Sequence, residues 1–185
     1  MIYRLRGIIV AFFLLFVLSH SPSCQNEWWL LLLLPGIALR IWARCFIGSH
    51  TRSESLEAPN LVRQGPYAYV RHPLYLSNIL ILWVLLFWWI GVGVHSLVLA
   101  VVVAVFYYWL ANKEDAFLQQ IFAQDWEDWK TQVQHRFLPK KIPTDLLQGA
   151  EQTWLQAVQA DRWTWIWLLA GIALSFAFKA HRCGY

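Results

Sequence analysis

Residues 61–78 read LVRQGPYAYVRHPLYLSN, a polar, arginine-bearing stretch caught between apolar runs of membrane-spanning character. Gly65-Pro66 and His72-Pro73 force turns or a helix boundary, because proline lacks an N–H and biases its predecessor away from the helical region. Pro73 is well placed for the first turn of the apolar helix that follows. Arg71 and His72 are thereby held at the mouth of a membrane helix, where charge is costly unless it has a use. Three tyrosines, Tyr67, Tyr69 and Tyr75, share the segment, and chemistry is expected here first.

The composition agrees with a membrane setting. Of 185 residues, 58% are hydrophobic, 17% aromatic and 14% charged, with 13 Trp, against roughly 45–50% apolar and about 25% charged in a soluble domain. An all-α, polytopic membrane protein of one domain, residues 1–185, is expected. The net charge of +4 does not signal nucleic-acid binding, because the basic residues fall in loops between apolar spans. Cys24, Cys45 and Cys183 show no pairing spacing and no metal-ligand grouping, which predicts free thiols and no metal site.

Outward from the central stretch, about five spans are expected. Ile8 to Leu18 follows Tyr3-Arg4-Leu5-Arg6 and resembles a signal peptide. Pro22 and His20 fit a cleavage site poorly, so an uncleaved first helix is favoured. A second span covers about Trp28 to Ile47, its lower part carrying Arg40 and Arg44 on one helical face. That face either snorkels to the interface or lines a polar cavity. A third span, Leu74 to about Gly93, turns tightly at Gly91 and Gly93 into a fourth, about Ser96 to Ala111, forming an antiparallel hairpin. A fifth apolar run, Trp163 to Phe178, closes the chain as an accessory helix (163–179). Lysine and arginine counts place the amino terminus and the 40–72 and 113–162 regions in the cytoplasm. Five spans then put the carboxyl terminus outside. Lys179 and Arg182 argue against that, which makes the last run a candidate re-entrant or interfacial segment.

The segment after the hairpin is amphipathic. Phe117, Leu118, Ile121, Phe122, Trp126, Trp129 and Val133 recur at helical spacing, predicting a cytoplasmic helix that continues from the fourth span. Glu114 and Asp115 stand at its start, at the membrane boundary. Glu114, Leu118, Ile121 and Asp125 share one face, so one carboxylate is expected to point into the bundle. His135-Arg136-Phe137-Leu138-Pro139 ends the segment.

GPY-x3-RHPLY at 65–75, a helical hairpin, an acidic pair with L-x3-F (Glu114, Asp115, Leu118, Phe122), two aromatics three apart and RFLP at 136–139 occur in that order. This resembles the isoprenylcysteine carboxyl methyltransferase family, whose relatives include the membrane phospholipid N-methyltransferases. The resemblance covers residues 36–139. It departs at Asp115, where the family usually has a second glutamate, and at Ala123 and Ser77, where it has glycines. Trp126 and Trp129 stand where tyrosines are common.

The resemblance implies a methyltransferase using S-adenosylmethionine. The lysine and arginine counts put its site on the cytoplasmic face, and the short chain with its signal-like first helix suggests a bacterial inner membrane. A lipidic or lipidated acceptor would enter from the bilayer. Glu114 would pair with the cofactor ammonium, with Asp115 as helper or ribose partner. His72 and the helix start at Pro73 would suit its carboxylate. Tyr67 and Tyr75 would offer aromatic faces, Gly65 a close backbone approach, and Asn78 a further contact. Arg71 would orient the acceptor, forking onto it if it is a carboxylate. Arg40, Trp126 and Arg136 would help bind it. An amine acceptor would instead recruit His72 or Glu114 as base. The acceptor stays open between a lipidic carboxylate, a phospholipid amine and a small thiol or hydrophobic metabolite. A membrane reductase using NADPH is the alternative from another class, although no glycine-rich fingerprint supports it. A non-catalytic protein keeping the fold is the third reading.

Overall fold

The computed structural model describes residues 23, 26–47, 60–134, 136–137 and 148–183. The expected first span, Cys24, most of the loop after residue 47, and Leu138-Pro139 lie outside these.

A 3-10 turn, Glu27–Leu32, is capped by Asn26, whose Oδ1 accepts from the Trp28 N–H at 3.2 Å. It runs into helix α1, Leu33–Ile47. Helix α2 spans Pro73–Ile90 with Pro73 in its first turn, and stops before Gly91, whose φ of 85° suits a residue without Cβ. The Ser96 hydroxyl closes the hairpin turn by accepting from the Gly93 N–H at 2.9 Å. Helix α3, Val94–Gln132, is 39 residues long. Helices α4, Trp154–Ala160, and α5, Arg162–Cys183, complete the chain. No strand occurs among the described residues.

Four helical stretches there are long and apolar enough to cross a membrane: Glu27–Ile47, α2, α3 and α5. The polytopic all-α architecture is therefore the one the apolar runs call for. Helices α1 and α2 pack closely because Gly36 has no side chain; a Cβ there would lie 2.9 Å from Ile81 Cγ1. Ser77, fully buried, donates to the Gly36 carbonyl at 3.0 Å, so the serine at this position supplies an interhelical hydrogen bond.

As expected, the amphipathic segment continues the fourth span in one helix. It bends at Ala123, which holds φ 41° and ψ −109°. Beyond the bend, Trp126 and Trp129 join Ala43, Phe46, Tyr67 and Ala157 in a buried core at one end of the bundle.

Helix α5 meets the far end of α2 through Phe176, Phe178 and Lys179 on Trp88 and Trp89. Its start lies level with Asn78 through Arg40, and Phe176 meets Trp88 at 5.5 Å near the other end. It is one continuous 22-residue helix, long and apolar enough to cross a membrane. Lys179, 1% exposed, does not reach for an interface; its Nζ sits 4.0 Å over the Trp88 ring. Trp88 in turn donates to Glu27 at 2.9 Å. The expectation of three free thiols is corrected. Cys183 is disulfide-bonded, whereas Cys45 is free and buried.

Candidate active site

The segment between α1 and α2 is held by its own chain before it holds anything else. Gly65 has φ +56°, and a Cβ there would run into the Phe46 ring, so the close approach this glycine permits is with α1. The 3-10 turn Gly65–Ala68 follows, and the Trp129 indole donates to the Tyr67 carbonyl at 3.1 Å. The His72 N–H donates to the Arg136 carbonyl at 3.2 Å. The two polar segments that flank the hairpin in sequence are thus tied together at its open end.

Asp115 is the centre of the charged cluster there. Its Oδ1 lies 2.9 Å from His72 Nε2, and its Oδ2 accepts from an Arg71 terminal nitrogen at 3.0 Å and from Arg136 Nε at 2.9 Å. A carboxylate only accepts, so His72 carries its proton at Nε2. Arg71, His72 and Asp115 are 5%, 4% and 4% exposed, and such charges are tolerated only when paired and hydrogen-bonded. Glu114 stands beside the cluster: its side chain is 35% exposed, and its Oε2 lies 3.9 Å from His72 Nδ1. The carboxylate that points inward is therefore Asp115, one residue off the face shared by Glu114, Leu118, Ile121 and Asp125. Ile121 is exposed, and Asp125 pairs at the surface with Arg63.

Aromatic rings wall the cluster. Tyr75 stacks on His72 at 5.5 Å and meets Tyr107 at 5.6 Å. Arg71 lies 5.9 Å above the Trp126 ring, within cation–π range. Arg136 packs 5.1 Å over Tyr108 and donates to its hydroxyl at 3.2 Å. Pro73 is buried at the head of α2. Asn78 and Arg40 belong to a second polar group one turn deeper: Arg40 donates to Asn78 Oδ1 at 2.5 Å, to Asp161 Oδ2 at 2.6 Å and to Thr164 Oγ1 at 3.3 Å. Neither Arg40 nor Arg44 snorkels; Arg44 is buried, with Nε 3.7 Å from Asp161.

Of the residues expected at the site, Arg71, His72, Asp115 and Arg136 are in direct contact, with Glu114, Tyr75 and Trp126 adjoining. Gly65 and Tyr67 form the neighbouring turn. Asp161, Thr164 and Tyr108 were not singled out from the sequence. Asp161 carries a faint signal, as an acid just before an apolar run, but its partner lies 121 residues away.

Three buried donors here have no hydrogen-bond partner among the described residues: the Tyr67 hydroxyl, Arg71 Nε and Trp126 Nε1. A buried group left so costs about 1–3 kcal/mol, which makes each a candidate ligand contact. Burial, then the Glu114 charge, pushes the Tyr67 phenol well above its ordinary value, so it remains a donor. Burial pulls Arg71 down while Asp115 opposes it; a guanidinium stays charged regardless. An open cleft of about 340 Å³ beside Gly65 is lined in part by Arg63, Gln64 and Tyr69, and by none of these three groups.

Residues 26–125 match the family model for phospholipid methyltransferase. No curated protein and no solved structure matches the chain. The matched residues make up more than half of the sequence and include the RHPLY turn, the hairpin and the acidic pair, so this chain belongs to the phospholipid methyltransferase family and is a membrane methyltransferase.

Proposed function

We propose that the protein transfers a methyl group from S-adenosylmethionine to a lipidic or hydrophobic acceptor at the end of the bundle that carries Arg71, His72, Glu114 and Asp115. The observation that carries this reading is the buried Asp115 cluster. It joins the two polar motifs from either side of the hairpin at a membrane boundary, beside three buried donors without partners among the described residues.

S-adenosylmethionine, when bound, supplies an electrophilic methyl group on a sulfonium. The donors present suit its acceptor atoms, and Glu114 suits its ammonium. Both Asp115 oxygens are committed to His72, Arg71 and Arg136, which leaves Glu114, partly exposed, as the carboxylate available to a ligand cation. Asp115 then holds Arg71 and His72 in place. Tyr67 and Trp126 offer a hydroxyl and an indole N–H, and Tyr75 an aromatic face next to His72.

Arg71 orients the acceptor. It spends one terminal nitrogen on Asp115 and keeps Nε buried without a partner among the described residues, so part of its fork remains for an anionic group. Holding one acceptor atom in line is the main contribution such a residue makes. A carboxylate acceptor needs no base. An amine acceptor releases a proton, which His72 or Glu114 can take. Asp115 occupies His72 Nε2, so the proton would go to Nδ1, the nitrogen facing Glu114.

The test is methyl transfer from labelled S-adenosylmethionine into a membrane-lipid extract by protein in nanodiscs. Wild type should label a lipid fraction, and Arg71→Lys, which keeps the charge but not the fork, should fall at least tenfold. Undiminished labelling by Arg71→Ala sinks the role given to Arg71. Labelling of a water-soluble thiol in place of any lipid points to the small-thiol alternative.

A further inference from the structure

The carboxyl-terminal helices lie outside the matched residues 26–125, yet they reach the candidate site. Asp161 forms the corner between α4 and α5: its N–H donates to the Ala157 carbonyl at 3.3 Å, and its own carbonyl accepts from Thr164 at 2.8 Å. That corner aims its carboxylate, 4% exposed, at Arg40 Nε, 2.6 Å away. Arg40 bridges onward to Asn78 Oδ1 at 2.5 Å.

The chemistry of this bridge fixes an orientation. A guanidinium offers only donors, so Asn78 must turn its carbonyl oxygen to Arg40, and its NH2 group then faces elsewhere as a donor. Asn78 lies three residues after Tyr75 on α2, hence on the neighbouring part of the same helical face, and Tyr75 stacks on His72. Helix cohesion alone gives little reason for the arrangement. A buried ion pair is seldom better for stability than apolar packing of the same volume, and at membrane depth its charges are expensive.

We infer that Asp161 is a positioning residue for the candidate site: acting through Arg40, it sets the Asn78 amide as a hydrogen-bond donor toward an acceptor atom of the methyl donor held beside Tyr75 and His72. The accessory helices therefore complete the binding site. This inference rests on the proposed cofactor.

A double-mutant cycle tests it. Full-length wild type, Asp161→Asn, Asn78→Ala and the double variant are titrated with S-adenosylmethionine in nanodiscs, with thermal midpoints recorded alongside. Asp161→Asn should weaken binding roughly tenfold, as expected for one well-placed hydrogen bond to the ligand. Asn78→Ala should do the same, and the double variant should bind no more weakly than Asn78→Ala alone. Asp161→Glu should recover part of the loss. If Asp161→Asn does not fold, Thr164→Val replaces it in the cycle, removing only the 3.3 Å contact to Arg40. Wild-type affinity in a thermally weakened Asp161→Asn, or losses that multiply in the double variant, overturns the inference alone. A wild type that does not bind S-adenosylmethionine overturns the cofactor reading and this inference with it.

Discussion

Asp115 accepts hydrogen bonds from two guanidinium groups and an imidazole at once while itself only 4% exposed. Removing its charge leaves Arg71 buried without its anion, a change that costs about 3–5 kcal/mol in comparable settings. Asp115→Asn should therefore lose both thermal stability and turnover. Glu114→Gln makes the contrast: its carboxylate is partly exposed, so the melting midpoint should hardly move while ligand affinity falls. Thermal denaturation beside a binding titration separates the two acids, and equal destabilisation by both would contradict the division of roles. Tyr67 makes a pH-dependent contribution. The fold keeps its phenol protonated, whereas in the unfolded chain it ionises near pH 10. The unfolded state then binds fewer protons, so stability falls as pH rises above about 10, by at most ~1.4 kcal/mol per pH unit. Tyr67→Phe should show a shallower decline than wild type between about pH 9 and pH 11, measured as the shift in denaturation midpoint.

At the scale of elements, α3 carries the arrangement, because its bend at Ala123 swings Trp126 and Trp129 back onto the Tyr67 turn. Alanine at φ 41° brings its Cβ against its own backbone, at a cost of roughly 1–2 kcal/mol that glycine avoids. Ala123→Gly is accordingly expected to stabilise the protein by about 1 kcal/mol, less the extra freedom glycine gives the unfolded chain, read as a higher midpoint with turnover retained. The hairpin and the continuation of α3 were legible in the sequence, since apolar runs and the Gly91 and Gly93 breaks act locally. So was the convergence of the two polar segments, which a hairpin must bring to one end. The choice between Glu114 and Asp115 was not legible: adjacent residues differ by about 100° around a helix, and small changes in how α3 packs decide which turns inward. The partners of Arg40 were equally hidden, because nothing local links it to an acid 121 residues away. Lys179 misled, for the charge that suggests an interface is buried on Trp88.

For the molecule as a whole, the buried charged cluster and the covalent cross-link lie at opposite ends. The Asp115 cluster sits at the start of α2, and Cys183 ends the helix whose Phe176 packs against Trp88 near the end of α2. Disulfides persist in oxidising compartments, so the Cys183 end is expected on the extracytoplasmic side and the charged cluster on the cytoplasmic side. A reporter enzyme that is active only after export, fused beyond Tyr185, should be active; an inactive fusion would reverse the orientation. The proposed activity depends on one binding event, capture of the methyl donor. The most direct measurement is calorimetric titration of detergent-purified protein with S-adenosylmethionine, beside Glu114→Ala and an NADPH control. Micromolar binding by wild type, weakened at least tenfold in Glu114→Ala and absent with NADPH, is the predicted result. No heat with S-adenosylmethionine, equal affinity in the variant, or binding of NADPH in its place would contradict the assignment of this cluster as a methyl-donor site.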